Sequence, residues 1–196
     1  MRLIMATNNK GKVKELSALL SSDFEVLTLK EAGFEIEVEE DGKTFTENAV
    51  KKALETYKIT KVPSIGDDSG LCVEALDGAP GIYSARWAGE GASQDELIGK
   101  LHKELSGKEN KKAKFVSVIA LAFSEDDIVI AEGECQGEII DEKRGEGGFG
   151  YDPVFYVPSL GKTFSELSLE DKNKISHRAN ALFALCDKLK ERGILK

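Results

Sequence analysis

Histidine and cysteine are scarce in this chain, and the scarcity narrows the chemistry open to it. Of 196 residues, two are histidines (His102 and His177) and three are cysteines (Cys72, Cys135 and Cys186). The cysteines are odd in number, far apart and in no CxxC or Cys/His spacing, so buried free thiols are expected. Two histidines are too few for a His-based zinc centre; any metal should be a hard ion held by carboxylates. No apolar run approaches the roughly 20 residues of a membrane-spanning helix. Leu3 to Ala6 is too short for the apolar core of a signal peptide, so a cytoplasmic location is expected. Positive charge is in deficit as well: 27 Lys and Arg stand against 35 Asp and Glu, a formal net charge of -8. Binding a nucleic-acid polymer needs a basic face, so no such partner is expected. A small anion held by local positive charge remains open.

What is present reads as an α/β protein. Apolar residues make up 41% of the chain, and its length suits one domain over residues 1–196, built as two lobes sharing a core. Leu3 to Ala6 predicts a short buried strand, and Val13, Leu16, Leu19 and Leu20 mark one face of a following helix. Glu35 to Glu40 alternates acidic and apolar residues, which predicts a half-exposed strand. Thr44 and Glu47 form a capping-box pattern opening a helix with Phe45, Ala49, Ala53 and Tyr57 inward and Pro63 as its stop. Ile65 and Leu71 to Leu76 read as strand, with Asp67-Asp68-Ser69-Gly70 at a strand end. Ser93 and Glu96 form a second capping box before Leu97, Ile98, Leu101 and Leu105. Phe115 to Phe123 predicts a central strand. Ile128 to Cys135, Glu138 to Ile140 and Val154 to Val157 predict three more, and a last helix carries Ala179, Leu182, Leu185 and Leu189 up to Gly193. The expected order is β-α-β-α-β-β-α-β-β-β-β-α, a mixed sheet with helices.

Two nucleotide motifs fail on inspection. Ala6 to Val13 has the Gly11-Lys12 of a P-loop, but Ala6 replaces its first glycine and Val13 its magnesium-binding hydroxyl. Gly145, Gly147 and Gly150 fit GxGxxG, yet a strand rather than a helix is expected after them. What remains is a set of local charge arrangements. Lys10 and Lys12 lie at a helix start, where N–H groups and the dipole favour an anion, and Thr7 and Asn8 can bond phosphate oxygens; solvated surface lysines are the plain alternative. Adjacent Asp67 and Asp68 call for a cation or a raised pKa, though one of them can serve as structure. Glu37, Glu39 and Glu40 add carboxylates that, with magnesium's preference for few protein ligands, form a candidate metal set; a solvated strand edge is the alternative. Phe149 or Tyr151 offers a ring for stacking a base. Ser176 reads as an N-cap, which puts His177 and Arg178 in a first helical turn, where positive charge calls for an anion or carbonyl nearby.

Six stretches together resemble one family. They are Thr7-Asn8-Asn9-Lys10-Gly11-Lys12, Thr44-Phe45-Thr46-Glu47-Asn48-Ala49, Asp67-Asp68-Ser69-Gly70-Leu71, Pro80-Gly81-Ile82-Tyr83-Ser84-Ala85-Arg86, Gly148-Phe149-Gly150-Tyr151-Asp152-Pro153 and Ser176-His177-Arg178. The chain resembles the inosine triphosphate pyrophosphatases, the Ham1-like or RdgB-like non-standard purine nucleotide pyrophosphatases. The resemblance implies hydrolysis of ITP, dITP and XTP to the monophosphate and pyrophosphate. It implies a long curved mixed β-sheet with helical lobes either side of a deep groove, and a homodimer. It also implies residue roles: Thr7, Asn8, Asn9, Lys10, Gly11 and Lys12 on the triphosphate; Asp68 as general base and Mg2+ ligand, with Glu39 or Glu40 as second ligand and Mn2+ as a substitute ion; Ser69 on the substrate; and Phe149, Gly150, Tyr151, Asp152, Lys172, His177 and Arg178 around the base. Competing readings are a Maf-type pyrophosphatase for modified pyrimidine or methylated guanine nucleotides, against which Ser176-His177-Arg178 speaks, and a nucleotide-binding regulator without hydrolysis.

Overall fold

Seven strands form one sheet in the order β2-β1-β3-β4-β5-β6-β7 in the computed structural model, which describes residues 1–7, 12, 13, 16, 24–35 and 38–195. They are β1 (Arg2–Met5), β2 (Glu25–Thr28), β3 (Ser64–Val73), β4 (Lys112–Ala122), β5 (Ile128–Ile139), β6 (Phe155–Val157) and β7 (Lys162–Thr163). The helices described along their whole length are α1 (Phe45–Thr60), α2 (Gln94–Glu104), α3 (Leu169–Ile175) and α4 (His177–Glu191). β1 runs parallel to β2 and to β3, while β6 is antiparallel to β5 and β7, so the sheet is mixed as expected.

Several elements depart from the sequence reading. Asp67 and Asp68 sit inside a single ten-residue strand, β3, not at a strand end, and a 3-10 turn takes over at Glu74–Leu76. β5 is one strand where two were expected. Glu35 and residues 38–40 form no strand, and Ile36 and Glu37 lie outside the described residues. A strand the sequence reading did not expect, Glu25–Thr28, pairs with β1 at the sheet edge. α1 ends in a left-handed Lys61 (φ 55°) whose N–H bonds Tyr57 O, two residues ahead of Pro63. Its cap is also half the expected box: Thr44 accepts from Glu47 N at 3.1 Å, but the Glu47 carboxylate accepts from Lys43 N. Ser93 and Glu96 complete their reciprocal pair. Of the first helix, Lys12, Val13 and Leu16 are helical and the rest, with Leu19 and Leu20, lies outside the described residues.

The chain divides into two compact units, each with its own core. In the first (1–68, 117–133 and 177–196), the period of two along β3 and β4 sorts side chains to two faces. Ile65, Ile119 and Leu121 pack with Leu3, Met5 and the α4 residues Leu182, Leu185 and Leu189. On the other face Val118, Ala120 and Ala122 pack with Ala49 and Ala53 of α1. Two strand glycines set how near the helices come. A Cβ at Gly66 would fall 2.2 Å from the Ala49 carbonyl oxygen, and one at Gly133 would fall 2.1 Å from the Ala181 nitrogen. The second unit (69–116 and 134–176) is built around Phe115, Phe155 and Phe164, with Phe115 and Phe155 centroids 4.6 Å apart, and around the apolar face of α2.

Glycine at position 66 is therefore a packing requirement, whereas Gly99, exposed on α2 with open space around its Cα, is not. Gly66→Ala should destabilise the protein by about 1–3 kcal/mol through overpacking. Gly99→Ala should stabilise it by about 1 kcal/mol through helix propensity. Urea denaturation of both variants checks the opposite signs.

Candidate functional site

Consecutive residues of a strand point to opposite faces, so Asp67 and Asp68 acquire separate surroundings. Asp68 faces α1. Asn48 Nδ2 donates to its Oδ2 at 3.0 Å, and Lys52 Nζ stands 3.6 Å from its Oδ1. The same ammonium is 2.6 Å from Glu40 Oε1 and also donates to the Asp67 carbonyl oxygen. Asn48 and Lys52 are both buried on a helix whose remaining buried positions are Ala49, Ala53 and Thr56. Burial pushes the Asp68 carboxyl above its ordinary range; Lys52, Lys12 and the Asn48 amide oppose this only in part, and Glu40 adds to it.

Asp67 faces the other way. Ser117 Oγ donates to its Oδ1 at 2.8 Å, Lys12 Nζ lies 2.7 Å from its Oδ2, and Arg178 Nε lies 3.9 Å from the same oxygen. Burial alone would raise this carboxyl too, but Lys12, Arg178 and Lys52 outweigh it and hold Asp67 well below the usual carboxylate range. Arg178 and His177 are buried in the first turn of α4, which Gly133 lets settle against β5. The anion that a cation in this turn calls for is thus Asp67, inside the protein. Ser176 ends α3, and α4 begins directly after it at His177.

In the second unit, Asp152 and Lys172 form a buried pair at 2.8 Å. Asp152 Oδ2 also accepts from Phe149 N at 2.9 Å, which closes the turn. The loop folds tightly enough that a Cβ at Gly148 (φ +76°) would strike the Asp152 carboxylate. Lys172 Nζ lies 5.3 Å from the Phe149 ring centroid and 5.2 Å from that of Phe164. Gly150 (φ +59°) offers its carbonyl to Gln94 Nε2 at 2.9 Å. Tyr151 is enclosed in the core, its hydroxyl donating to Ser84 O at 3.0 Å. A strand, β6, follows this glycine-rich loop, which removes the dinucleotide-fold reading of GxGxxG.

The sequence-derived candidates thus gather in two groups. Lys12, Glu40, Asp68 and Arg178 come together in the first unit, with Thr7 half-buried just beyond β1. Phe149, Gly150, Asp152 and Lys172 come together in the second, to which Ser69, half-buried on β3, also belongs. Asn8, Asn9, Lys10 and Gly11 lie outside the described residues. Glu39 is exposed, so of the two glutamates offered as a metal ligand it is Glu40 that Lys52 links to Asp68. Sequence reasoning missed Asn48, Lys52 and Ser117 and did not foresee Asp67 as the hub for Lys12 and Arg178. A signal for two of them was available: Asn48 and Lys52, four apart, flank the apolar stripe of Ala49 and Ala53, so the helix must bury polar groups.

The group fits a hard divalent cation. Asp68 is a desolvated carboxylate, and an ammonium already bridges it to Glu40. Among the described residues no group of three or more His, Cys, Asp or Glu is placed to hold a metal ion; magnesium commonly takes one or two carboxylates, with water and substrate oxygens completing its shell.

A model of the Ham1 family matches residues 3–188. A protein of Desulfotalea psychrophila named dITP/XTP pyrophosphatase is 52% identical over 182 residues, covering 92% of this chain and 81% of its own. One of Geobacter sulfurreducens with the same name is 49% identical over 196 residues, covering 98% of each. The Staphylococcus aureus Ham1 protein structure superposes with a TM-score of 0.88 at 43% identity, over 98% of this chain and 100% of that one. A Coxiella burnetii HAM1 protein gives 0.89 at 40%, over 97% and 99%.

The two aspartates should respond oppositely to neutralisation. A depressed carboxyl contributes stability that is complete above the unfolded-state pKa and lost as pH falls through the folded one. A raised carboxyl costs stability as pH rises through the unfolded and folded values. In metal-free protein at pH 7, Asp67→Asn should therefore cost about 3–5 kcal/mol by stranding Lys12 and Arg178. Asp68→Asn should be neutral or stabilising. Thermal denaturation in chelator measures both, and a large loss from Asp68→Asn would contradict the assignment.

Proposed function

This chain belongs to the Ham1 family, and on that premise we propose that it is a nucleoside-triphosphate pyrophosphatase that hydrolyses ITP, dITP and XTP to the monophosphate and pyrophosphate, keeping such nucleotides out of DNA and RNA. The names of its relatives support the hydrolase and its substrate class over the Maf-type and regulator readings. The observation that carries the chemistry is the Asp68 carboxyl. It is buried, raised in proton affinity, oriented by Asn48 and flanked by Lys52 and Glu40.

A base must hold a proton well enough to take one in the transition state, and burial, which raises the proton affinity of the Asp68 carboxylate, serves that demand. Asp68 accepts a proton from the water whose oxygen forms a bond to the α-phosphorus. The bond from that phosphorus to the bridging oxygen breaks, and pyrophosphate leaves with the electron pair. Thr7, Asn8, Asn9, Lys10, Gly11 and Lys12 hold the triphosphate chain, and Ser69 contacts the substrate. Held in place by Asp67, Lys12 presents fixed positive charge to phosphate oxygens without reorganising. Glu40 and Asp68 are the proposed ligands of Mg2+, with Mn2+ as a substitute; the ion, when bound, neutralises charge on the leaving group and lowers the pKa of water.

For the base, the Phe149 ring is the proposed stacking surface, because Tyr151 is committed to the core and to Ser84. Lys172 and Arg178 have only donors, so either suits the 6-carbonyl of hypoxanthine or xanthine and neither accepts from the amino group of adenine. Lys172 is buried beside the Phe149 and Phe164 rings and anchored to Asp152. Gly150, Asp152 and His177 complete the base surroundings in this reading. A cytoplasmic location and a homodimer belong to the same proposal; no described helix is long and apolar enough to cross a membrane.

Product analysis tests the scissile bond: ITP should release pyrophosphate and IMP, and release of orthophosphate and IDP would overturn it. Asp68→Asn should lower kcat at least ~100-fold while substrate binding survives better than turnover. Chelator should abolish activity, Mn2+ should restore it, and Ca2+, with its larger coordination number, should restore it poorly.

A further inference from the structure

One buried amide, Asn48, touches both segments that carry the proposed metal carboxylates. It is fully enclosed on α1. Its Nδ2 donates to Asp68 Oδ2 at 3.0 Å, and its Oδ1 accepts from the backbone N–H of Gly42 at 2.8 Å. Gly42 lies two residues beyond Glu40, in the same loop. The loop is drawn in so closely that a Cβ at Gly42 would fall 2.5 Å from Asn48 Oδ1 and 2.9 Å from Glu47 Cβ. One turn later on the helix, Lys52 spans the same two segments, reaching Glu40 and Asp68.

The amide cannot be turned round. Its oxygen facing Asp68 would set acceptor against acceptor, and its NH2 facing Gly42 would set donor against donor. Asparagine is the side chain that satisfies both ends at this length; leucine satisfies neither, and aspartate satisfies only the loop end. The bond to Oδ2 fixes the rotation of the Asp68 carboxylate and leaves Oδ1 as its oxygen on the Lys52 side. Because the donor is neutral, it orients the carboxylate without adding a second full positive charge beside it.

We propose that Asn48 is a positioning residue that fixes the orientation of Asp68 and the spacing between Asp68 and Glu40, and thereby sets both the affinity for the divalent ion and the rate of the hydrolytic step. The proposal rests on the reading of Asp68 as base and of Asp68 with Glu40 as ligands. Asn48 acts through these carboxylates and touches neither the water nor the phosphate. Losing a hydrogen-bond partner of a ligand typically costs 10–100-fold in metal affinity or activity, which sets the scale expected here.

The test uses the full chain with MgCl2 and ITP. Asn48→Ala should weaken Mg2+ binding, measured calorimetrically without nucleotide, by about tenfold or more. At saturating Mg2+, its kcat should remain lowered by about tenfold or more while KM for ITP stays within about twofold. A variant that only loosened the fold would not separate kcat from KM or weaken the ion in a protein shown folded by circular dichroism. Asn48→Asp keeps the acceptor for Gly42 and removes the donor to Asp68; its kcat should fall although the loop end is intact. Should Asn48→Ala not fold, Asn48→Ser takes its place with the same expected losses. Mg2+ affinity and kcat both within twofold of the parent in a folded variant would overturn the role of Asn48. Asp68→Asn run alongside separates the two claims: if it is inactive while Asn48→Ala is normal, only the positioning role fails. If Asp68→Asn is itself active, the reading of Asp68 fails first.

Discussion

Two carboxylates on consecutive residues of one buried strand are the constraint around which the first unit is organised. Left on the same side, Asp67 and Asp68 would repel at short range in a weakly screening interior. The pleat of β3 sends them to opposite faces, and each face answers differently. Asp67 receives Lys12, Arg178 and Ser117, which stabilise its charge. Asp68 is raised by burial, and the neutral amide and the ammonium shared with Glu40 that it receives offset this only in part. One carboxylate becomes a structural anion that organises cations, and the other keeps a raised proton affinity. The division of labour follows from the period of the strand and the composition of the two faces.

That arrangement depends on helix backbone lying against strand positions that have no side chain. Gly66 admits α1, bringing Asn48 and Lys52 to Asp68; Gly133 admits α4, bringing Arg178 to Asp67. The small side chains of Ala49, Ala53, Ala179 and Ala181 belong to the same close approach. Packing and chemistry are here one problem, because a side chain at either glycine would move a helix and its functional groups together. In the second unit the buried Lys172–Asp152 pair is similarly tied to a loop whose shape depends on Gly148.

The legible parts of the fold were those with local signals. The apolar run of β4, the capping box of α2 and the alternating faces of α1 and α4 follow from hydrophobic period and cap chemistry. β2 was missed because four half-exposed residues at an edge carry little pattern, and Glu35 to Glu40 misled because alternation alone does not supply a pairing partner. α3 was missed although Ser168, which accepts from Asp171 N, gave a readable cap. Of the candidate site residues, Asp68, Lys12, Glu40, Lys172 and Arg178 were singled out through charge placement and family resemblance, and each lies in one of the two buried charge groups. The hub role of Asp67 depends on contacts between residues as far apart as 12, 67 and 178, which no local window contains, whereas Asn48 and Lys52 left a local trace in the buried polar positions beside Ala49 and Ala53.

The claim on which the account turns is that neighbouring aspartates carry opposite shifts. Carboxyl carbon NMR on aspartate-labelled, metal-free protein measures it directly, with Asp68→Asn identifying the Asp68 resonance. The account predicts that Asp68 titrates above the ordinary aspartate value of about 3.9, while Asp67 remains ionised well below it. Joint titration of the two near that value, or the reverse order, would contradict it.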